Sequence, residues 1–344
     1  MTAIDPVWRE AATALVIGAA GAALFWVIGF PAALLTGPAT AVSIATVLGV
    51  RCTIPPLLRD GVFLLIGVSI GSTVTPEVIA TAMAWPLSLA VLTVTLVLVL
   101  IIAMIALERL FRFDRMTAML SATPGHLSYV LGLSTEMGAD VPRVALVQSV
   151  RVLLLTLVVP VLVALWGVEG TANLQDRGGI AIWAIFVIFP LSILLGLGLK
   201  RLHVPAPLLL GAMGVSALGQ GAEITPGALP DWLIGAAFVA MGSLIGTRFV
   251  GVDRGALAGA ILAGLVCTLV ACGVAALGAV LTSEIVGLPP AVLLLAFAPG
   301  GVEVMAAIAI ETGLEPAFVA AHHVFRLLVL TVIVPVMVIW ARRS

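Results

Sequence analysis

Long apolar stretches separated by short polar segments run along almost the whole chain. One bilayer crossing takes about 20 apolar residues. On that length the pattern predicts ten membrane-spanning helices, near residues 11–30, 32–50, 61–76, 79–107, 143–167, 179–199, 204–220, 231–247, 255–281 and 317–341. Two further apolar segments, 116–137 and 290–312, are interrupted at Pro124-Gly125 and at Pro299-Gly300-Gly301. Each half of such a segment covers only about half of the roughly 30 Å core, so the segments are either re-entrant hairpins or broken full spans.

The same polar and helix-breaking residues occur twice, 175 positions apart. The pattern of residues 120–160 is repeated near the end of the chain. The matching residues include Pro124 and Pro299, Glu136 and Glu311, and Arg151 and Arg326. PAALLTG at Pro31 likewise resembles PAPLLLG at Pro205. Shared hydrophobicity alone does not produce such pairs, so the sequence predicts a duplicated membrane protein with copies at 1–170 (hairpin 116–137) and 171–344 (hairpin 290–312).

The positions of lysine and arginine distinguish the two forms of the broken segments, because these residues collect in cytoplasmic loops. With an inside N-terminus and re-entrant segments, thirteen of the 16 Lys and Arg residues lie inside and only Arg177 lies outside. Arg151 and Arg326 then lie within the membrane. If the broken segments crossed fully, nine Lys and Arg residues would lie inside and five outside. The sequence therefore favours re-entrant hairpins.

Five crossings per copy is an odd number, so the second copy must be inverted relative to the first. The predicted fold is therefore an all-α integral membrane protein with two inverted repeats of five transmembrane helices, each with a re-entrant broken-helix hairpin. Hairpins that dip in from opposite sides can meet near the midplane. Secondary transporters build substrate and ion sites from such half-helix ends.

The composition excludes some classes of function. Charged residues make up 10% of the chain, hydrophobic residues 62%, and the net charge is −1. Without a basic patch, no nucleic-acid partner is expected. The cysteines Cys52, Cys267 and Cys272 are interpreted as small core residues, and the first apolar run, which lacks a basic region before it, as a retained span.

Arg151 and Arg326 are the main candidates for a binding site. Helix rise alone places each about 12–14 Å into its span. Gln148 precedes Arg151 by three residues, and His323 precedes Arg326 by three, so each pair shares a helix face. Buried charges in membranes are functional by default, and guanidinium groups match carboxylates. The alternative is that each arginine neutralises a carboxylate or binds hairpin carbonyls.

Residues at the two breaks complete the predicted substrate site, namely Pro124, Gly125, His126 and Ser128 in the first copy and Pro299, Gly300, Gly301 and Glu303 in the second. Glu303 either favours the dipole at a helix start or binds a proton or cation. His126 either titrates during transport or is merely hydrogen-bonded. With Arg151, Arg326 and Glu303 as the deep charges, one positive charge is in excess, which favours an anionic substrate.

The glycines Gly67, Gly71, Gly242 and Gly246 form small-xxx-small pairs in equivalent spans. Such pairs are typical of helix-packing faces in membranes. A direct role in binding a ligand is the less favoured alternative.

The motif ATPGH and its partner APGGVEVM, each followed by a span with the arginine, resemble the AbrB-type membrane protein family. The resemblance covers roughly residues 12–341. Members carry labels such as ammonia monooxygenase or AbrB family regulator. The family is also distantly similar to the cation/proton antiporter and anion transporter superfamily, which implies inverted repeats with broken helices. It implies no particular substrate.

The sequence therefore predicts a secondary active transporter of the cell inner membrane, with both termini cytoplasmic, that moves a small carboxylate-bearing anion by alternating access. Protons or sodium are candidate coupling ions, no metal or other cofactor is expected, and lipid and a second copy of the chain are the expected partners. A passive channel, or a membrane protein that affects gene expression indirectly, is the alternative. An enzyme is not expected, because the four histidines, His126, His203, His322 and His323, include no HxxxH pair.

Overall fold

The computed structural model is built from α-helices. It describes residues 5–81, 85–124, 127–166, 178–202, 204, 206–252 and 254–343. The helices are α1 (Pro6–Val27), α2 (Ala33–Val47), α3 (Pro56–Gly71), α4 (Pro76–Thr81), α5 (Trp85–Phe111), α6 (Arg115–Ala122), α7 (Leu127–Met137), α8 (Val141–Leu165), α9 (Ile182–Arg201), α10 (Pro207–Gly221), α11 (Asp231–Gly246), α12 (Arg254–Val286), α13 (Pro290–Phe297), α14 (Val302–Thr312) and α15 (Pro316–Arg343).

Seven helices in the described chain are long and apolar enough to cross a membrane, namely α1, α5, α8, α9, α11 with the short turn after it, α12 and α15. The protein is therefore a multi-pass membrane protein. A helix is present at each of the ten predicted spans, but α2, α3 and α10 have only 15 or 16 residues. Helices of that length are shorter than the usual crossing of about 20 residues.

The elements pair off in length between the two parts of the chain. The helices α2 and α10 have 15 residues each, α6 and α13 have 8, and α7 and α14 have 11. Backbone details match as well. Ala32 and Ala206, the residues before α2 and α10, both adopt the left-handed conformation, and Gly138 and Gly313 after α7 and α14 both have a φ near 70°. The duplicated sequence thus produces a duplicated series of elements.

The chain forms two compact units, and each contains helices from both copies. The first unit comprises Met1–Met83, Gly167–Val250 and Ala306–Ala320. The second unit comprises Ala84–Trp166, Gly251–Met305 and Ala321–Ser344. The predicted boundary near residue 170 separates the copies along the sequence, whereas the units combine equivalent helices of the two copies.

Close helix packing through glycine holds the first unit together. A side chain at Gly67 or Gly71 of α3 would collide with the backbone of α10, at Leu209 and Met213. Gly242 and Gly246 of α11 are in the same way pressed against α2. The prediction that these glycines form packing faces is confirmed, and each face joins a helix of one copy to a helix of the other.

The second unit contains both helix breaks and both buried arginines. The long helix α12 packs against α5, α8 and α13, and α6 packs against α5, α7 and α8. Gly264 of α12 lies against Val150 of α8, next to Arg151. This packing places the last turns of α6 and α13 beside the buried middle of α8 and of α15.

Candidate functional site at the two helix breaks

The helices α6 and α13 end because a proline follows each of them. The residue before a proline is pushed out of the helical conformation. Thr123 before Pro124 has φ −63° and ψ 116°, and Ala298 before Pro299 has φ −58° and ψ 129°. Each break leaves the last carbonyl groups of the helix without their usual N–H donors. These carbonyls are buried, so other donors must satisfy them.

Arg151 supplies these donors in the first copy. Its side chain is buried, with only 3% exposed. Its guanidinium group donates to the carbonyl oxygens of Ser121 (3.2 Å), Ala122 (3.1 Å) and Thr123 (3.2 Å). Nη2 also donates to Oε1 of Gln148 at 2.6 Å. The positive charge thus lies at the carbonyl end of α6, where the helix dipole favours a cation.

Arg326 does the same in the second copy. Its guanidinium group donates to the carbonyl oxygen of Ala298 at 2.9 Å and to that of Gly300. The side chain is 2% exposed. The sequence analysis gave binding of hairpin carbonyls as one alternative for the arginines. The Nη atoms of both residues make such hydrogen bonds.

Gln148 and His323 make equivalent hydrogen bonds three residues before each arginine. Nε2 of Gln148 donates to the carbonyl oxygens of Leu120 (2.9 Å) and Thr123 (2.8 Å). Nε2 of His323 is 2.9 Å from the carbonyl oxygen of Leu295. A carbonyl can only accept, so this nitrogen carries the hydrogen and Nδ1 of the neutral ring is an acceptor.

Four buried polar atoms near the breaks have no hydrogen-bond partner within the described part of the chain. They are Nε of Arg151, Nε of Arg326, Nδ1 of His323 and Oγ of Ser121. Buried polar groups are normally satisfied by protein, water or ligand. The two breaks therefore offer two cationic donors, one acceptor and one hydroxyl group to a bound molecule.

The two guanidinium groups lie close enough to interact with each other, and Glu303 interacts with Arg326. Glu303 lies in the first turn of α14 and is partly exposed. Its carboxylate folds back toward Gly301, since a carbon added there would lie 3.1 Å from Oε1. Repulsion between two buried cations is reduced by carbonyl dipoles and by a nearby anion, which in this unit is Glu303.

The remaining predicted residues have different outcomes. Pro124, Pro299 and Gly300 are buried at the breaks, and Gly301 is partly exposed. Gly125 and His126 lie outside the described residues, and only the helical backbone of Ser128 is described. His322 is fully buried and its Nε2 is 2.8 Å from Oγ of Ser88 on α5. The structure thus adds Ser121 and the carbonyl of Thr123, which the sequence analysis did not select.

A groove elsewhere has a different character. It lies on the first unit, encloses about 460 Å³, and is lined by apolar side chains such as Trp8, Leu65 and Phe189. Its described lining contains no charged side chain. Among the described residues, no group of three His, Cys, Asp or Glu side chains is placed to hold a metal ion.

The family model described as "Transition state regulatory protein AbrB" matches residues 34–342. The chain belongs to the AbrB family. An uncharacterized protein of Bacillus subtilis (strain 168), YhjN, is 28% identical to it over 299 residues, covering 79% of this chain and 75% of that protein. A protein of Escherichia coli (strain K12), whose name describes it as a candidate regulator, AbrB, is 27% identical over 314 residues, covering 88% of each chain. The matched range includes both arginines and both breaks, so the site described above lies within the part shared by AbrB-family members.

Proposed function

We propose that this AbrB-family membrane protein is a secondary active transporter that moves a small carboxylate-bearing anion by alternating access. The observation that carries the proposal is the pair of buried arginines at two helix breaks in one unit, each with an Nε that has no hydrogen-bond partner among the described residues. Buried charges in a membrane protein mark substrate or ion pathways. The anion would bind to Nε of Arg151 and of Arg326, and a hydroxyl or amino group of the substrate would donate to Nδ1 of His323.

The proposal includes two inverted repeats, and two contacts in the second unit support the inversion. Arg143, at the start of α8, lies over the ring of Phe113 at 4.9 Å. Arg115, two residues further along, lies over the ring of Trp340 at the end of α15, at 3.9 Å. The start of α8 and the end of its counterpart α15 are therefore near the same short segment, as expected for equivalent helices that run in opposite directions.

The proposal also includes re-entrant hairpins, and a hydrogen bond supports this for the first copy. The backbone N–H of Asp140, after α7, donates to Oγ1 of Thr117, in the first turn of α6, at 3.0 Å. The two ends of the broken segment are therefore adjacent, as they are in a hairpin that returns to the side from which it entered. A segment that crossed the bilayer would have its ends on opposite sides.

Several further points belong to the proposal. The protein would reside in the cell inner membrane with cytoplasmic termini, surrounded by lipid, and two copies would associate. Protons or sodium would drive transport, and neither a catalytic residue nor a cofactor is assigned. The names of the AbrB family and of the E. coli relative favour a second candidate, a membrane protein that alters gene expression indirectly by changing the level of a transported metabolite.

Thermal-shift measurement on the purified protein tests the binding site. Small carboxylates and amino acids are screened, and at least one is expected to raise the Tm of the wild type but not of Arg151→Ala or Arg326→Ala. The control is Arg143→Ala, because Arg143 is exposed and its contacts, an ion pair with Asp140 and the ring of Phe113, lie away from the break carbonyls. Stabilisation that persists in both buried-arginine variants would contradict the assignment. Uptake into proteoliposomes then separates a transporter from a channel, since only coupled transport accumulates the substrate against its gradient.

A further inference from the structure

Glu311, in the last turn of α14, has a largely buried carboxyl group that the arginine site does not use, although the residue as a whole is partly exposed. Its Oε1 accepts a hydrogen bond of 2.9 Å from the backbone N–H of Leu34, in the first turn of α2. Its Oε2 is buried without a hydrogen-bond partner among the described residues. Both residues belong to the first unit.

The local backbone explains why α2 takes an acceptor from elsewhere. The residue before α2, Ala32, has a left-handed backbone and no side chain that can cap the helix. The first N–H groups of a helix need acceptors and favour a negative charge. Glu311 provides both, from a position 277 residues further along the chain.

The first copy contains the same acid in a different environment. Glu136, the counterpart of Glu311, is exposed. The residue before α10, Ala206, has the same left-handed backbone as Ala32 and likewise provides no side-chain cap. Residues 306–320 belong to the first unit, whereas the equivalent residues 131–145 belong to the second. One carboxyl group is therefore buried and its counterpart is in contact with solvent.

Burial and the Leu34 N–H are the influences found on the pKa of Glu311, and the charged groups of the neighbouring elements follow by their positions. The helix α2 contains no ionisable residue, and on α1 Arg9 and Glu10 are in the first turns, far along the helix from the residues that precede α2. On α11, Asp231 is exposed at the helix start, and Arg248 follows the other end, near Thr46. Glu315, in the turn after α14, is partly exposed. The Leu34 N–H is thus the polar group that acts directly on Glu311.

Burial and this hydrogen bond act in opposite directions on the carboxyl group. Glu311 lies outside the seven long spans, and burial raises its pKa from 4.5 to about 7, while the Leu34 N–H opposes the rise. A carboxyl group that is buried in one conformation and hydrated in another binds a proton more tightly in the first. In transporters built from inverted repeats, alternating access is largely the movement of one bundle against the other, which changes the surroundings of residues between them.

We infer that Glu311 is a proton-binding site, which holds a proton while its carboxyl group packs against the start of α2 and releases it when residues 306–320 bring it into water. The coupling of this proton to transport rests on the proposed function, whereas the binding of the proton does not.

Infrared difference spectroscopy of the full-length protein in lipid nanodiscs, titrated from about pH 5 to about pH 9, tests the inference. The wild type is expected to show the carbonyl band of a protonated carboxyl group that disappears as the pH rises through about 7. The same band is expected in the matched control Glu136→Gln and is expected to be lost in Glu311→Gln.

Two results would overturn the proton site. One is a wild-type spectrum with no carboxyl band titrating in this range, which does not depend on the folding of any variant. The other is an unchanged band in Glu311→Gln. The transport proposal fails separately, if no carboxylate binds to the arginine site while the band is present.

Discussion

Gln148 and His323 make the same hydrogen bond in the two copies of the repeat, each to a carbonyl oxygen that lies 28 residues earlier, at Leu120 and at Leu295. Arg151 and Arg326 repeat the relationship, since Thr123 and Ala298 also lie 28 residues before them. Duplication has therefore preserved the contacts as well as the element lengths. At this position the copies also differ, because Gln148 accepts a hydrogen bond from Arg151, whereas Nδ1 of His323 has no partner in the described chain.

Replacement of His323 by glutamine is therefore expected to be tolerated. The amide would donate to Leu295 and accept from Arg326, as Gln148 does in the first copy. His323→Leu leaves the carbonyl of Leu295 without its donor, which costs about 1–3 kcal/mol. The Tm of the purified variants checks this, and equal stability of the leucine and glutamine variants would contradict it.

The buried arginines are expected to tolerate lysine better than alanine in folding but not in ligand binding. Lysine retains the charge and one hydrogen bond, whereas a single ammonium group does not reproduce the planar donors that reach Ala298 and Gly300. Arg326→Ala leaves the buried carbonyl of Gly300 without its guanidinium donor, at about 1–3 kcal/mol, whereas the carbonyl of Ala298 keeps the hydrogen bond from the backbone N–H of Gly300 at 2.8 Å. Tm without ligand reports the structural role, and the ligand-induced shift reports the functional one.

The control for this series is Arg143→Ala, whose exposed ion pair is expected to contribute about 0–1 kcal/mol. A Tm of Arg143→Ala as low as that of Arg326→Ala would show that the loss does not come from the buried carbonyls. An Arg326→Lys protein with a full ligand-induced shift would remove the requirement for a planar group.

Two glycines of α3 provide a matched pair for the packing of the first unit. A methyl group at Gly61 would have no neighbour within 4 Å, whereas at Gly67 it would collide with the carbonyl of Leu209 on α10. Alanine is the better helix former by about 0.5–1 kcal/mol. Gly61→Ala is therefore expected to keep or raise the Tm, and Gly67→Ala to lower it. Equal effects would mean that α3 and α10 do not pack this closely.

The pairing of the copies, the two breaks and the buried arginines could be predicted because prolines and charges are conspicuous in apolar sequence. The sequence offered hairpin carbonyls as partners of the arginines, but not which carbonyls, since the separation of 28 residues depends on how the broken segment folds back onto the arginine helix. The lengths of the predicted spans agreed least with the structure. The helices α2 and α10 begin after the left-handed residues Ala32 and Ala206, and both are shorter than a full crossing.

Glu311 shows a different limit. Its pairing with Glu136 is visible in the sequence, but the sequence analysis used the pair only as evidence of duplication and selected neither acid as a functional residue. The environments of the two acids are not visible there, because the same residue in the same local pattern is exposed in one copy and packed against Leu34 in the other. Only contacts between distant parts of the chain distinguish them.

The proposed inversion of the two copies predicts the side of the membrane on which two equivalent residues lie. Leu110 and Ile285 occupy matching positions near the ends of α5 and α12 and are 66% and 69% exposed. Cysteine at position 285 is expected to react with a membrane-impermeant maleimide added outside the cell. Cysteine at position 110 is expected to react only after the membrane is permeabilised. The native cysteines are buried, so they give a low background. Labelling of both positions from one side would contradict the inversion.

The proton on Glu311 predicts how stability changes with pH. The pKa of this carboxyl group is about 7 in the folded protein and 4.5 without burial, so the folded state keeps the proton over a range in which the unfolded state has lost it. The stabilisation is fully present below about 4.5 and is lost as the pH rises through about 7, at a rate of about 1.4 kcal/mol per pH unit between these values. Wild type should therefore lose Tm relative to Glu311→Gln over this range, while Glu136→Gln should follow the wild type. Parallel curves for wild type and Glu311→Gln would contradict a proton bound at this residue.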